Sequence, residues 1–431
     1  MLTARLARLS RFGPAARAPL SQRFIRSLVK HESSVELEWK TSLAPASSLL
    51  NENHPAKDAP AIARSTFHYP WLRDNCQCPL CVHPHNHQKL HSSGEVPHSV
   101  KPRSVELAEN GAAVKIVWDK NSLKGQHSSE SHESVFTASW LKQNAYAPRA
   151  RSLQQPTLQI KTWEASDFAA VDQHRLSFDE FMNTDEGFRK ALVQMKDYGL
   201  LFLEGVPTEN DRQIEQVAKR FGKIRETFYG TSWDVRSVPE AKNIAYTNLF
   251  LGLHMDLMYF EAPPGLQFLH SLKNSVVGGE SLLLDSYRAV EILKATSPKS
   301  YEVLSRTPVT FHYDNDGHHL HLRRYTITTT DLNEPMQVYY APPFMGPMLA
   351  DRAEDVEAFY EAFAKFEEII ETDRLVYRTL LKPGQLMIFA NRRVLHGRTA
   401  FDPLSGERHY KGTYVDWDNF KDSYRVQVKP R

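Results

Sequence analysis

Two segments far apart in this chain carry side chains that only a fold pairing them can use together. One is Leu253-His254-Met255-Asp256-Leu257. The other is Val394-Leu395-His396-Gly397-Arg398, with Arg408 twelve positions beyond His396. Both stretches are apolar and strand-like. Gly384-Gln385-Leu386-Met387-Ile388-Phe389 follows a Pro383-Gly384 turn and leads into the second as a further strand. Residues i and i+2 of a strand point the same way, so His254 and Asp256 are expected on one strand face. His396 then returns from a distant strand as a third donor. A single His-x-Asp pair is weak, since most are surface or hydrogen-bonded pairs. The weight lies in the joint pattern, whose bland alternative is a buried, satisfied histidine beside a structural arginine. Two histidines and a carboxylate form the facial triad of non-heme iron(II) oxygenases, which leaves positions open for a chelating co-substrate and dioxygen. The planar fork of Arg408 suits the far carboxylate of a keto-diacid such as 2-oxoglutarate.

The only three cysteines, Cys76, Cys78 and Cys81, fall within six residues. An odd, tight set in a chain with no export signal reads as metal ligation and not as disulfides. Three thiolates need a fourth ligand to close a tetrahedral structural zinc site. The local candidates are His83, His85, His87 and His91; the alternative is reduced thiols beside a solvated, His-rich loop.

With 431 residues the chain is long enough for two domains and a large core. Its net charge of +2 argues against a nucleic-acid footprint. No apolar run approaches the ~18 residues of a membrane span. The small net charge hides an asymmetry. Residues 1–30 hold Arg5, Arg8, Arg11, Arg17, Arg23, Arg26 and Lys30 with no acid, so the remainder is net acidic. This Arg-, Ala-, Leu- and Ser-rich leader, with Leu2, Leu6 and Leu9 able to share one helical face, has the composition of a mitochondrial transit peptide. The alternative is a disordered basic tail. A matrix location follows from the first reading, with a cut near Arg26-Ser27.

The expected organisation is a leader at 1–30, a small domain at 31–146, a linker at 147–162 and a large domain at 163–431. Val35-Glu36-Leu37-Glu38-Trp39 and Ala113 to Trp118 read as strands of the small domain, and Asn121 to Glu133 as a polar loop. The large domain opens with a capping box, Ser177-Phe178-Asp179-Glu180, followed by Phe188, Leu192 and Met195 at helical spacing. A strand is expected at Leu200 to Leu203 and a helix from Thr208 to Gly222. A long helix near Asp355 to Glu371 turns Val356, Phe359, Phe363, Phe366 and Ile370 inward. The later strands alternate with turns, as a double-stranded β-helix requires. His318, His319, His321, Arg323 and Arg324 read as a solvated loop face.

From about residue 65 onward the chain resembles the gamma-butyrobetaine and trimethyllysine dioxygenases, in the taurine-dioxygenase-like branch of the 2-oxoglutarate oxygenases. The resemblance rests on Trp71-Leu72-Arg73-Asp74-Asn75-Cys76, Thr227-Phe228-Tyr229-Gly230, Asn243-Ile244-Ala245-Tyr246-Thr247, Pro263 to Gln267, Gly278-Gly279-Glu280-Ser281 and Tyr414-Val415-Asp416-Trp417-Asp418. It implies an α+β fold: a jelly-roll (double-stranded β-helix) catalytic core with flanking helices, and a small β-rich zinc-binding N-terminal domain. It implies iron(II) on His254, Asp256 and His396, 2-oxoglutarate on Arg408 with Ser281 near its other end, and ascorbate as a candidate reductant. It offers His132, before Trp140-Leu141, as the fourth zinc ligand, and a homodimer as the assembly. Tyr229, Trp233, Tyr246 and Tyr414 match a cage for a trimethylammonium group, and Asn243 matches a substrate-side residue.

The last-quoted stretch and the cysteines lean toward the gamma-butyrobetaine branch, whose product is L-carnitine. Two positions depart from that pattern, both on the carboxylate side of the family's pocket. Leu257 stands where the branch has a tyrosine, and Ala341 where it has an asparagine. The alternatives are trimethyllysine 3-hydroxylation, oxidation of another betaine, and a non-catalytic trimethylammonium-binding protein with structural metal only.

Overall fold

The computed structural model describes residues 25–40, 62–119, 122–124, 131–146, 160–169, 174–237, 244–329, 335–350 and 352–428. The chain divides into two compact units, Met1–Pro156 and Thr157–Arg431.

The first unit holds two antiparallel three-stranded sheets. One orders Ile25–Lys30, Ser34–Lys40 and Ile62–His68; the other orders Pro102–Ala108, Ala113–Trp118 and His132–Thr137. Strands expected at Val35 and Ala113 therefore form. The first strand takes in residues 25–30 of the expected leader. Ile25–Lys30 pairs with Ser34–Lys40, and Ile25 is buried with Val35, Leu37, Trp39 and Trp118. Burying one isoleucine outweighs the basic character of the strand, because Arg26 and Lys30 stay exposed. The rest of the expected leader, 1–24, lies outside the described residues. The expected loop ends sooner than Glu133, since His132 pairs with Trp118 at the end of a strand.

In the second unit two sheets face one another, as a double-stranded β-helix requires. The larger orders Arg175–Ser177, Leu200–Glu204, Leu386–Ala390, Leu266–Asn274, Arg408–Val415 and Trp233–Val235. The smaller orders Leu251–His254, Val394–Arg398, Ser281–Asp285 and Tyr377–Thr379. All pairs are antiparallel except the first pair of the larger sheet.

The period-2 geometry of strands explains why the central sequence is apolar without a break. Met387 and Phe389 point to the space between the sheets, where they meet Leu283 and Val394 of the smaller one. Leu386, Ile388 and Ala390 point the other way, against Phe188, Leu192 and Met195 and against Ile214, Val217 and Phe221 of two helices. Leu282 and Leu284 on the outer face of the smaller sheet are covered by residues of Ser286–Thr296, Pro298–Arg306 and Ala353–Ile370.

The helices follow their local signals with some shifts. Ser177 Oγ accepts from the Glu180 N–H at 3.0 Å, but the Glu180 carboxylate turns to Lys190, so half of the capping box forms. The helix ends at Asn183, and Thr184 caps a second one, Asp185–Tyr198. The next helix is Gln213–Phe221, which starts later than expected; it buries Ile214, Val217, Ala218 and Phe221. Ala353–Ile370 buries Phe359, Phe363, Phe366 and Ile370, with Val356 half-buried. His318–Tyr325 is a strand paired with Pro308–Asn315, not a loop, although His318, His319, His321 and Arg323 are exposed as expected. Of the expected linker, 147–159 lies outside the described residues. Lys161 already belongs to the second unit, donating to the Asp197 carbonyl at 2.8 Å. No described helix is long and apolar enough to cross a membrane.

Gly265 marks a close approach of backbone to backbone. A Cβ there would lie 2.1 Å from the Trp417 nitrogen. Its N–H donates to the Val415 carbonyl at 3.0 Å, and its carbonyl accepts from the Asn391 N–H at 2.9 Å. Gly265→Ala is expected to cost roughly 1–3 kcal/mol or more through overpacking. Thermal unfolding should show a Tm lowered by several degrees; an unchanged Tm would show that the segment moves aside freely.

Candidate metal centre and its cavities

His254 ends the strand Leu251–His254 and stands directly opposite His396 in the antiparallel strand Val394–Arg398. The two rings lie 4.2 Å apart, centroid to centroid. Asp256 is not on the strand, contrary to expectation, but in the turn that follows it. The Met255 N–H donates to the Tyr340 carbonyl at 2.8 Å, which ends the pairing with the His396 strand and turns Asp256 inward. Oδ1 of Asp256 then faces both imidazoles, 3.3 Å from His254 Nε2 and 3.7 Å from His396 Nε2. The three donor atoms all lie within 4.8 Å of one another, so one ion can sit among them.

The protonation states suit a cation. Nδ1 of His254 lies 2.9 Å from the Gly252 carbonyl, which makes Nδ1 the N–H and leaves Nε2 as the lone pair. Burial, with His254 beside it, pushes His396 down to about 3, so its ring is neutral. Burial works to raise Asp256, yet His396, His254 and the Tyr414 hydroxyl together hold it below the ordinary carboxylate range. That hydroxyl donates to Oδ2 at 2.6 Å. One carboxylate oxygen is thereby committed to Tyr414 and the other to the histidines. With His396 neutral and Asp256 ionised, the three side chains present donor atoms to one point where a metal can bind.

Asn391 holds the turn in place and was not singled out from the sequence. It is fully buried between the strands Leu386–Ala390 and Val394–Arg398. Its Oδ1 accepts from the Asp256 N–H at 2.8 Å, and its Nδ2 donates to the Asp256 carbonyl at 2.9 Å. Nothing in its one-dimensional context marks it, because its partner is far along the chain. Leu257, next in the turn, has φ +61°, a strained value for a bulky residue.

Two cavities share the centre. Arg408, Ser281 and Arg398 line one of them with His254, Asp256 and His396. Among the described residues no carboxylate pairs with Arg408, and its buried Nε has no hydrogen-bond partner. Its guanidinium lies 4.0 Å from the Tyr410 ring. A half-buried cation with aromatic support, unpaired with any described carboxylate, can receive an incoming carboxylate. Ser281 stands opposite Arg398 in the neighbouring strand, on the same wall as His396.

The other cavity is aromatic. Tyr229, Trp233, Tyr246 and Tyr414 all line it with His254 and Asp256. Trp233 lies 4.2 Å from the Tyr414 ring and 5.9 Å from that of Tyr229. The indole fits because Gly412 lies beneath it; a Cβ there would come within 2.5 Å. Burial and the nearby Asp256 push Tyr246 up to about 12. Tyr259 and Phe344 complete the lining and were not anticipated, since each reads singly as core filler. Leu257 also lines it, whereas Ala341 is packed in the core. Asn243 lies outside the described residues.

In the first unit Cys76, Cys78, Cys81 and His132 converge. Nε2 of His132 is 3.3 Å from Cys76 Sγ, 3.7 Å from Cys78 Sγ and 3.6 Å from Cys81 Sγ. His83, His85, His87 and His91 do not join this group. His91 instead faces Asp74, 3.4 Å away. Arg73, fully buried, donates to Cys81 Sγ at 3.3 Å and to Ser122 Oγ at 2.9 Å.

Comparison with known proteins agrees with both units. Residues 157–414 match the family described as taurine catabolism dioxygenase TauD, TfdA family. Residues 28–142 match gamma-butyrobetaine hydroxylase-like, N-terminal. Dioxygenase str8 of Strobilurus tenacellus is 38% identical, over 84% of this chain and 85% of its own. The gamma-butyrobetaine dioxygenase of Pseudomonas sp. (strain AK-1) is 34% identical, over 82% and 88%. The human mitochondrial trimethyllysine dioxygenase is 28% identical, over 84% and 82%.

Asn391→Ala removes both bonds to the Asp256 backbone without touching a donor atom. Metal affinity, read by chelator competition, is expected to fall roughly 10–100-fold while the fold persists. Wild-type affinity in this variant would mean that Asn391 does not orient Asp256.

Proposed function

The chain belongs to the TauD/TfdA dioxygenase family and is an iron(II)- and 2-oxoglutarate-dependent dioxygenase, and from that premise we propose that it hydroxylates a trimethylammonium acid, gamma-butyrobetaine first, to give L-carnitine. The observation that carries this reading is the aromatic cavity in which Tyr229, Trp233, Tyr246 and Tyr414 share walls with His254 and Asp256. A quaternary ammonium donates no hydrogen bond, so ring faces are its natural receptor, worth ~0.5–2 kcal/mol per contact. The relatives named gamma-butyrobetaine and trimethyllysine dioxygenases support the same chemistry.

In this reading His254, Asp256 and His396 hold the iron. Bound iron(II), with 2-oxoglutarate and dioxygen, supplies C–H hydroxylation and releases succinate and CO2. The protein supplies positioning. Gly252 fixes the tautomer of His254, burial keeps His396 neutral, and Tyr414 occupies one oxygen of Asp256. Arg408 pairs with the distal carboxylate of 2-oxoglutarate, and the Ser281 hydroxyl faces the same cavity. The rings hold the cationic end of the substrate so that one C–H bond faces the iron, which makes specificity a matter of placement. Ascorbate serves as the reductant that keeps the iron ferrous. Delivery to the mitochondrial matrix by the basic leader, and a homodimer, complete the proposal.

Leu257 favours a second reading. It places an aliphatic side chain in the cavity where a residue able to bond a carboxylate would suit gamma-butyrobetaine. Trimethyllysine or another betaine is then the substrate of the same site.

We also propose that Cys76, Cys78, Cys81 and His132 hold a structural zinc ion. Three thiolates and one imidazole around one point are the donor set of such a site. The burial of Arg73 supports it. A guanidinium removed from water needs an anion, and Cys81 becomes one when its thiol gives up a proton to bind metal.

Succinate formation, measured across gamma-butyrobetaine, trimethyllysine and neutral analogues that replace nitrogen by carbon, tests the substrate. A trimethylammonium compound should stimulate turnover, and Trp233→Ala should suppress that stimulation while leaving slow substrate-free decay of 2-oxoglutarate comparatively intact. Stimulation by the neutral analogues alone would remove the cage from the argument.

Purified protein should contain about one zinc per chain in addition to iron. Cys78→Ser and His132→Ala should each lose it and unfold at lower temperature, because structural metal binding contributes to folding. Full zinc content in the His132→Ala protein would return the fourth ligand to the 83–91 loop.

A further inference from the structure

Arg398 is buried at the wall between the two cavities, and its fork is spent on one segment of backbone. Nη1 donates to the Ala245 carbonyl at 3.2 Å, and Nη2 donates to those of Thr247 and Leu249 at 2.7 and 2.9 Å. Those residues belong to the short run 244–250 that precedes the His254 strand. The Phe401 N–H, donating to the Asn248 carbonyl at 3.2 Å, is a further tie on the same run. Ala245 lines both cavities, and Tyr246 lines the aromatic one. One arginine therefore holds the partition that carries a substrate-facing ring.

The other side of Arg398 faces the co-substrate cavity, which it lines together with Arg408. Both guanidinium groups flank the same ring, that of Phe401, at 5.0 Å for Arg398 and 5.4 Å for Arg408. The Nε atoms of both are buried without a hydrogen-bond partner. Among the described residues no carboxylate pairs with either. Two like charges whose Nε atoms are buried repel each other through a medium that screens poorly. A carboxylate that pairs with Arg408 offsets the positive charge that faces Arg398.

We propose that Arg398 is a positioning residue that couples the two cavities: a dianionic co-substrate beside Arg408 relieves the repulsion on Arg398, which then clamps residues 244–250 and sets Tyr246 in the substrate wall. This rests on the reading that the Arg408 cavity receives 2-oxoglutarate. Coupling of this kind needs no large movement. A segment held by one fork is ordered when the charge on that fork is balanced, and the next ligand then meets a wall already in place.

Hydrogen exchange on the full-length protein loaded with manganese(II) tests this without turnover. Adding 2-oxoglutarate should slow amide exchange across 244–250 by ~10-fold or more in the wild type, an order-of-magnitude expectation for a coupling of this size. Arg398→Met should lose that response. Arg398→Lys, which keeps the charge but not the fork, should lose most of it and gives a second variant if the first does not fold. In steady state both variants should raise KM for the trimethylammonium substrate more than KM for 2-oxoglutarate, and should release more succinate per hydroxylated product. Binding of 2-oxoglutarate to the wild type, seen by calorimetry, with no change in exchange at 244–250 would overturn the coupling alone. Failure of 2-oxoglutarate to bind the manganese-loaded protein would overturn both the coupling and the reading beneath it. A wild-type exchange response in both variants would assign the clamp to Phe401 instead.

Discussion

The register that sets His254 opposite His396 is the constraint on which the catalytic unit depends. A slip of one residue in either strand would turn its imidazole to the face opposite the other, because strand side chains alternate. Several interactions hold that register from outside the pair. The smaller sheet continues through Ser281–Asp285, which pairs along the whole of Val394–Arg398. The turn before His396 is anchored by Arg393, whose guanidinium makes a bidentate pair with Asp285 at 3.0 and 2.8 Å, both groups buried. Arg393 also donates to the Asp197 and Lys161 carbonyls, at 2.8 and 2.6 Å. Breaking a buried pair of this kind by removing one partner typically costs about 3–5 kcal/mol. Asn391, two residues earlier, ties the same turn to Asp256. Stability and the donor geometry are thus properties of one short turn, Asn391-Arg392-Arg393.

The centre is shared between chemistry and recognition. Tyr414 bonds the Asp256 carboxylate through its hydroxyl and packs at a tilt against Trp233 through its ring. A residue with both duties links the electronic state of the donor set to the shape of the aromatic cavity. The strand that carries Tyr414 begins at Arg408 and also provides Gly412, which makes room for Trp233. The cation of Arg408, the glycine beneath Trp233 and the donor-bonding phenol therefore succeed one another along a single strand. Rigid backbone of this kind is a better base for placement than a loop.

The N-terminal unit answers a different problem. Its two three-stranded sheets are small, and small cores are marginal without a staple. His132 opens the strand His132–Thr137, while the cysteines follow the helix Tyr69–Asp74. A metal held by both would close a long loop, which constrains the unfolded chain as well as the folded one. The buried guanidinium of Arg73 beside Cys81 fits an anionic cluster better than neutral thiols.

Much of this protein was legible before any coordinates. His254, Asp256, His396 and Arg408 could be named because metal and carboxylate chemistry restricts residue types and local spacing. The strands at Val35, Ala113 and Leu200 could be drawn because short apolar or alternating runs report their own conformation, and the helix at 353–370 because its buried residues recur at helical spacing. The alternation that sends Met387 and Phe389 one way and Leu386 and Ile388 the other was implicit in the same run. What required the tertiary structure was every feature whose partner is distant in the chain. Ile25 counts as core only because Trp39 and Trp118 surround it; its own neighbours are those of a basic leader. Asp256 left the strand because Tyr340, far away, takes the Met255 N–H. Asn391, Tyr259, Phe344 and Arg398 carry no local mark, since a polar turn residue, two aromatics and one arginine occur everywhere. His132 was already offered by the family resemblance; the fold brings its ring to the three thiols because the strand His132–Thr137 begins there. Sequence determines which chemistry is available, because side-chain types are explicit in it; the fold decides which groups meet, because burial and hydrogen bonding are pairwise properties of residues brought from afar.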